Sequence, residues 1–534
     1  MDQSDQSVSI LRPNKTLLKI LFAVLALHVF AITANPAVVP KDSEDYELYS
    51  QAQQILLDNH VEDMNSTMPS PKLYPHQWSW DSAFIAFGYS HFDLPRAMAE
   101  MVSLFRGQWK NGLLPSIVFN TATDEAYFPG PAFWKTHTSK HAPDSVPTTG
   151  IVQPPIHAIA VLKVYQRAQD KQEALQFLHK LYPKLVKWHQ YLYQTRDPHK
   201  EGLCYIRHMW ESGMDDSPAW QESLKRMRFT KAMIPSYQRV DAAKVNETGE
   251  RPTDFFYDRA VYLIKMFYDN DYKEDHIFDN TPFAIQDVLF NSILARAGEA
   301  LSDIATILGF EDEASDHLAL SKKTANAIST KLYDPIDGFF YDYDLIGKKS
   351  IRVKISGGFV SLYGASVTKH QMKRQLDLLL SGDFVGKEMT TWTIPSVSLN
   401  DPSYSNISYW RGPAWLNINY LVRDGLLRNK LHDERASTLA KFLKERSLEL
   451  LREHGFYEYF SPIDGSPHGG HSFSWSAALA LDWMCEGNRS KKNSSNVLRS
   501  LLLPNGLGVS VAIALIAASV VTMLRSSILV DDSS

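Results

Sequence analysis

The sequence has little cysteine and no large excess of charge. Its 534 residues include two cysteines, Cys204 and Cys485, which are too few for a disulfide-rich scaffold or a cysteine-based zinc site. The formal net charge is −5 and the pI is about 6.4. Because no strong basic field is present, we expect no nucleic-acid partner.

Aromatic residues are abundant: the chain has 12 Trp, 24 Tyr and 26 Phe. The overall composition is that of a folded protein, with 44% hydrophobic and 22% charged residues. So many rings can fill a large core, or they can line a pocket in which flat faces stack on a sugar. The positions of the rings decide between these two uses.

An apolar run near the N-terminus, residues 20–32, follows three basic residues and ends near Ala34. It is short for a bilayer span, so it predicts a secretory signal peptide within residues 1–36. An uncleaved membrane anchor is the alternative.

A second apolar run, residues 507–524, carries no charge and follows a polar stretch. It predicts a transmembrane helix within residues 501–525, preceded by a linker at residues 488–500. A buried core helix and a lipid-anchor signal are the alternatives. Because positive charges flank the run on both sides, its orientation in a membrane stays open.

Five sequons for N-glycosylation lie outside the N-terminal run. Together with the two apolar runs, they predict a protein of the secretory pathway or the cell-surface membrane, with a lumenal or extracellular catalytic body. The sequons are Asn65, Asn246, Asn406, Asn488 and Asn493.

The body of the chain, residues 41–487, has apolar residues at helical spacing in many segments, such as residues 82–105 and 287–307. Strand-like alternation is scarce, and few hairpins resemble the one at residues 334–344. About a dozen helices joined by long aromatic loops favour an all-α toroid of helical hairpins with a pocket at one end. An α-solenoid is the alternative, but no sequence unit repeats.

The first cluster of candidate site residues is the segment of residues 74–82, which places Tyr74, Trp78, Trp80 and Asp81 close together. Rings stack on the apolar faces of a pyranose, and a carboxylate accepts hydrogen bonds from adjacent hydroxyls. The alternative is a helix start at which Ser79 or Asp81 caps the helix and the rings pack.

The second cluster, residues 210–218, holds three acids beside Trp210 and Gly213. A desolvated carboxyl stays protonated near neutral pH and can act as an acid. An ordinary loop is one alternative. A magnesium motif is another, but it needs a further acid where Ala219 stands, so we expect no metal site.

The third cluster surrounds Glu458 with rings, in residues 455–462 and 469–475. An unpaired carboxylate among rings is costly unless it is hydrogen-bonded or faces a pocket. An edge strand with Glu458 pointing to water is the alternative. Two pocket carboxyls far apart in sequence meet the requirement of inverting glycoside hydrolysis for one acid and one base.

These clusters, together with the stretches 107–112, 153–155, 251–257 and 408–415, resemble glycoside hydrolase family 63. Its short members, the mannosylglycerate and glucosylglycerate hydrolases, are the most similar, and the resemblance extends over about residues 74–483. It implies an (α/α)6 barrel and inverting hydrolysis of a small α-glycoside, without a catalytic metal or another cofactor.

The resemblance also implies roles for individual residues. Asp215 resembles the general acid, Glu458 the general base, and Asp216 a neighbour whose charge would raise the pKa of the acid. Arg251 and Tyr257 match positions that bind the glycerate carboxylate; a structural ion pair is the alternative for Arg251. The other matching pocket positions are Tyr74, Trp78, Trp80, Asp81, Gln153, Trp210, Gly213, Tyr409, Trp410 and Trp415.

The sequence departs from the family at Ser116, where we expect a histidine, and in its predicted membrane tail. A processing α-glucosidase is a rival function, although we do not expect its usual N-terminal β-rich domain here; a trehalase is another. A catalytically silent, membrane-tethered sugar-binding protein is the rival from a different class. The presence of both Asp215 and Glu458 favours an enzyme.

Overall fold

The computed structural model describes residues 39–245 and 247–486. The described residues up to Cys485 belong to one compact unit. The predicted signal segment, linker and C-terminal helix lie outside the described residues, as do Asn246, Asn488 and Asn493. No helix in the described ranges is long and apolar enough to span a membrane.

Helices make up most of the fold. They are α1 (Tyr46–Asp58), α2 (Ser79–Tyr89), α3 (Leu94–Leu104), α4 (Pro131–Trp134), α5 (His157–Arg167), α6 (Lys171–Thr195), α7 (Gln221–Arg226), α8 (Asp254–Asp269), α9 (Glu274–Asn280), α10 (Val288–Leu308), α11 (Glu311–Ala327), α12 (Ser361–Gly364), α13 (Lys369–Leu379), α14 (Leu416–Arg428), α15 (Arg435–His454) and α16 (474–486).

The strands are short and form small antiparallel ladders between the helices. They are β1 (His60–Val61), β2 (Ser66–Thr67), β3 (Gln77–Trp78), β4 (Ile117–Val118), β5 (Ile285–Gln286), β6 (Tyr333–Asp334), β7 (Phe339–Phe340), β8 (Tyr343–Asp344), β9 (Lys349–Ser350), β10 (Tyr457–Phe460) and β11 (Pro467–His471). Pairs are β1–β2, β3–β4, β6–β7 and β10–β11, and β8 lies between β5 and β9.

Six helices form an inner ring. In chain order, α2 contacts α5, α5 contacts α10, α10 contacts α12, and α12 contacts α14. The ring closes through α16: Trp483 lies 5.7 Å from Tyr420 of α14, centroid to centroid. At the last junction, a Cβ on Gly88 of α2 would lie 2.6 Å from the Cα of Ala478. Six further helices, α1, α3, α6, α11, α13 and α15, form the outer layer, so the (α/α)6 toroid is confirmed.

The segment of residues 82–105 does not form the single helix that its apolar spacing predicts. It forms α2 and α3, and Asp93 between them accepts a hydrogen bond from the amide of Arg96. Pro95 lies in the first turn of α3, where its missing N–H costs nothing. The hairpin predicted at residues 334–344 is also shorter than expected, because β8 leaves it to pair with β5. Cys204 and Cys485 are both buried, and no disulfide joins them.

The pocket lies where ring helices begin. Trp80 in the first turn of α2, Gln153 before α5, Trp415 before α14 and Trp475 in α16 all line one cavity. The loops that precede these helices supply the rest of its wall. One consequence is that segments distant in the sequence meet at this end of the toroid.

Candidate active site

All fourteen site residues predicted from the sequence line this one cavity. Sequence reasoning missed several other lining residues, among them Tyr127, Asp241, Lys244 and Trp475. Trp475 belongs to the third aromatic cluster and could have been included. Asp241 and Lys244 lie in a loop without a recognisable motif, so no local pattern indicated them.

The first cluster combines a short strand with the start of α2. Trp78 ends β3, which pairs with β4, and the amide of Trp80 donates to Oε1 of Gln153 at 3.2 Å. Neither Ser79 nor Asp81 caps the helix, contrary to the alternative interpretation. Instead, Oγ of Ser79 lies 2.9 Å from Nε2 of His157 in α5, which ties two ring helices together below the pocket.

Asp81 is buried at the cavity wall. Burial raises its pKa well above the usual range, and the nearby Glu458 and Asp215 carboxyls raise it further. A protonated Asp81 can donate one hydrogen bond and accept others, which suits a hydroxylated ligand.

The second cluster is held in place by Glu211. Its carboxylate receives two hydrogen bonds from the guanidinium of Arg196, at 2.9 and 3.0 Å. It also accepts from the amide of Arg207 at 2.7 Å and from the amide of Val152 at 3.2 Å. The loop that carries Asp215 is therefore fixed both to α6 through Arg196 and to the segment that carries Gln153.

Gly213 lies in this loop with φ +75°, and a Cβ there would stand 2.7 Å from Cη2 of Trp80. We expect Gly213→Ala to lower kcat/KM at least tenfold, because both backbone strain and the indole collision displace the wall of the pocket. Steady-state kinetics measure this. Gly309→Ala is the matched control: Gly309 has φ +82° but no atoms within 4 Å of its Cβ position, so it should lose stability and keep its activity. Equal kcat/KM losses in both variants would contradict this expectation.

Asp215 faces the cavity beside a second acid. Burial raises the pKa of Asp215 to about 8; Arg251 opposes this rise, whereas Glu458 and Asp216 add to it. Asp216 pairs with Arg411, at 3.0 Å from Nε and 3.2 Å from Nη2. The pKa of Asp216 is raised by burial but held back by this pair.

Glu458 lies in β10 and is buried, so the alternative in which it points to water is wrong. It accepts hydrogen bonds from the hydroxyl of Tyr74 at 2.8 Å and from the amide of Gly470 in β11 at 2.9 Å. Burial raises the pKa of Glu458 to about 6, and Arg251 together with these two donors limits the rise.

Two tyrosine hydroxyls connect the carboxyls. The Tyr74 hydroxyl bonded to Glu458 lies 3.3 Å from the Tyr409 hydroxyl, which in turn lies 3.5 Å from Oδ2 of Asp215. These three contacts limit the distance between the bonded carboxyl oxygens to less than about 10 Å, an upper limit that the roughly 6.5–9.5 Å of inverting glycosidases satisfies. Tyr409 has φ +39°, a conformation that a tyrosine rarely adopts.

Arg251 makes an ion pair and also reaches the carboxyl pair. Its Nε lies 3.1 Å from Oδ2 of Asp241, and its Nη1 donates to the hydroxyl of Tyr74 at 2.9 Å. Asp241 also binds Arg239, whose guanidinium stacks 4.0 Å from the ring centroid of Tyr257. Arg251 therefore forms the ion pair of the alternative interpretation, and it lines the cavity as well.

The remaining predicted rings pack together. Trp410 and Trp415 stack with centroids 3.7 Å apart, and Trp415 stacks on Tyr459 at 4.6 Å. Trp210 contacts Tyr257 edge to face. Ser116 lines the cavity, with its hydroxyl 2.7 Å from that of Thr149. The described residues contain no group of three metal-binding side chains.

The sequence model of the mannosylglycerate hydrolase MGH1-like glycoside hydrolase domain matches residues 74–476. The chain belongs to this family. It is therefore a glycoside hydrolase, which decides against a catalytically silent sugar-binding protein. The match contains all three clusters.

Individual relatives agree with this assignment. The chain is 44% identical over 441 residues to the mannosylglycerate hydrolase of Rubrobacter radiotolerans, covering 83% of this chain and 97% of that protein. It is 32% identical to the glucosylglycerate hydrolase of Mycolicibacterium hassiacum, covering 82% and 98%. The structure is similar to the crystal structure of the family 63 mannosylglycerate hydrolase from Thermus thermophilus in complex with Tris and D-glycerate. That match has a TM-score of 0.74 and 36% identity, and it covers 82% and 99% of the two chains.

The comparisons correct one prediction. The expected secretory or cell-surface location is wrong: the similar Rubrobacter and Thermus enzymes are bacterial and match over nearly their whole length. The expectation depended on sequons, which are short enough to arise by chance, and on apolar runs outside the described residues.

Proposed function

We propose that this enzyme hydrolyses α-mannosylglycerate or α-glucosylglycerate to the free sugar and glycerate, with inversion at the anomeric carbon. The observation that carries the proposal is that two buried carboxyls from distant segments, Asp215 and Glu458, line one cavity and are connected by the hydroxyls of Tyr74 and Tyr409. The names of the relatives supply the substrate class. Residues 41–487 would form the catalytic domain.

In the proposed reaction, Asp215 is the general acid and gives its proton to the glycosidic oxygen as the bond to the anomeric carbon breaks. Glu458 is the general base and removes a proton from a water that attacks the opposite face of the sugar. The environments support these roles, because the carboxyl with the higher pKa keeps its proton while the other ionises.

The walls of the cavity suggest where each half of the substrate binds. Trp78, Trp80 and Asp81, with Gln153 behind them, offer ring faces and hydrogen-bonding groups for the sugar. Arg251 offers a planar cation for the carboxylate of glycerate, and Asp241 orients it.

The two pKa values predict a bell-shaped dependence of kcat/KM on pH. Activity should be lost as pH falls through about 6, because Glu458 becomes protonated, and as pH rises through about 8, because Asp215 loses its proton. Initial rates at substrate concentrations well below KM measure this profile. Rates that rise steadily to pH 10 would contradict the assignment of Asp215 as the acid.

A panel of α-glycosides tests the substrate class. It contains α-mannosylglycerate, α-glucosylglycerate, trehalose and a glucose-capped oligosaccharide of the N-glycan type, and released sugar is quantified. We expect the two glycerate glycosides to exceed the others in kcat/KM by at least 10²-fold, because only they place a carboxylate near Arg251. Preference for trehalose or for the oligosaccharide would replace the proposal with one of the rival glucosidase functions.

A further inference from the structure

Arg251 contacts both the proposed aglycone site and the carboxyl pair. We propose that Arg251 couples the binding of an anionic aglycone to the protonation of Asp215 and Glu458, so that the substrate's own carboxylate helps to keep the acid protonated. This inference rests on the proposed function and assigns Arg251 a role beyond anchoring the ligand.

The first path from Arg251 leads to Glu458. Nη1 of Arg251 donates to the Tyr74 hydroxyl at 2.9 Å, and this hydroxyl lies 2.8 Å from Oε1 of Glu458. Since the oxygen of Tyr74 accepts from Arg251, its single proton is directed to Glu458. The guanidinium therefore orients the hydrogen bond that the base receives.

The second path leads to Asp215 through Tyr409. The guanidinium carbon of Arg251 lies 4.4 Å from the centroid of the Tyr409 ring, and the hydroxyl of that ring lies 3.5 Å from Oδ2 of Asp215. The guanidinium of Arg251 therefore contacts both tyrosines, Tyr74 and Tyr409, whose hydroxyls connect the two carboxyls.

The positive charge of Arg251 favours the ionised forms. After burial, it is the largest influence on the pKa of both Asp215 and Glu458, and it lowers both. Nη2 of Arg251 makes no hydrogen bond to any described residue, which leaves that side available for a ligand. A bound carboxylate would offset the charge, so the pKa values of both groups would rise.

Other charged and titratable groups surround Asp215 and Glu458, and these groups are present whichever substrate is bound. They do not distinguish one aglycone from another, so a difference between substrates reports the aglycone charge. They are Asp81, Tyr74, Tyr127, Asp216 with Arg411, Asp241 with Arg239, Lys244, Glu250 with His468, Tyr257, Tyr409 and Tyr459.

Two substrates that differ in one group test the coupling. In α-mannosylglycerate the aglycone carries a carboxylate, and in α-mannosylglycerol a hydroxymethyl group replaces it. With the glycerate substrate, both the acidic and the basic limb of the plot of kcat against pH should be displaced to higher pH, by on the order of one pH unit. The reason is that kcat reports the enzyme–substrate complex. The kcat/KM profiles, which report the free enzyme, should coincide.

Arg251→Gln removes the charge. In this variant the difference between the kcat profiles of the two substrates should shrink, because no cation holds the aglycone carboxylate beside the two tyrosines, and the profile for the glycerol compound should lie at higher pH than in the wild type. Arg239→Gln is the matched control, because Arg239 also binds Asp241 but makes no hydrogen bond to Tyr74. It should keep the wild-type difference between the substrates.

Binding of D-glycerate gives a measurement that does not depend on turnover. Calorimetry at pH 7 in two buffers with different ionisation enthalpies should show net proton uptake by wild type and a smaller uptake per bound glycerate by Arg251→Gln. Coincident wild-type kcat profiles, or glycerate binding without proton uptake, would overturn the coupling even if hydrolysis inverts. Failure of the wild type to hydrolyse either glycoside, or hydrolysis with retention, would instead overturn the proposed function.

Discussion

Asp215→Ala and Glu458→Ala are each expected to lower kcat by about 10²–10⁴-fold. In the proposed reaction, Asp215 provides the proton that the leaving glycerate needs, and Glu458 removes the proton from the attacking water. Neither role has a substitute nearby, because Asp216 is held by Arg411 and Asp81 lies on the segment proposed to hold the sugar. Steady-state kinetics on the glycerate glycoside give the loss.

The two variants can be told apart with an α-glycosyl fluoride. Fluoride leaves without a proton, so Asp215→Ala should recover much of its activity on this substrate, whereas Glu458→Ala should not. Asp216→Asn serves as the control for a nearby acid and should lose less activity than either variant. Near-wild-type kcat of Asp215→Ala on the natural glycoside would show that another group supplies the proton.

The second large effect concerns stability. Glu211→Ala is expected to lower the free energy of unfolding by about 3–5 kcal/mol. The variant leaves the guanidinium of Arg196 buried without its bidentate partner, and the amides of Arg207 and Val152 lose their acceptor. The loop that carries Asp215 loosens at the same time, so kcat should fall as well. Thermal and urea unfolding measure the first effect.

Glu222→Ala is the matched control for Glu211→Ala. Glu222 pairs with Lys225 at 3.1 Å on the surface, and both side chains are largely exposed. Exposed pairs contribute about 0–1 kcal/mol, so this variant should unfold almost as the wild type does. An unfolding free energy for Glu211→Ala within about 1 kcal/mol of the control would contradict the anchoring role.

Local sequence patterns predicted the helical body and the three clusters, because these motifs are short and contiguous, whereas the other pocket residues were expected from the family resemblance. The segment from Tyr74 to Asp81 lies at the start of a ring helix, so its rings and carboxyl face the same space. The predicted helix boundaries were less accurate where the apolar spacing and the helix-capping residues indicated different ends. The apolar spacing of residues 82–105 continues across Asp93 and Pro95, and only the side-chain cap divides α2 from α3.

Other features depend on partners that no local pattern contains. The sequence left open an alternative in which Glu458 faces water from an edge strand; its burial depends on Tyr74, which lies 384 positions earlier. Glu211 resembled a third candidate acid, but Arg196 and the amide of Val152 make it an anchor. The part that Asp241 plays in the cavity follows from its ion pair with Arg251, which the sequence around Asp241 does not indicate.

Inverting hydrolysis of the glycerate-linked α-glycoside by Asp215 and Glu458 is the activity that we propose for this enzyme. Proton NMR during the first minutes of the reaction of wild-type enzyme with α-mannosylglycerate tests it most directly. We predict that the anomeric signal of β-mannose appears first and that the α anomer grows in later by mutarotation. Initial release of α-mannose would mean retention and would contradict the account.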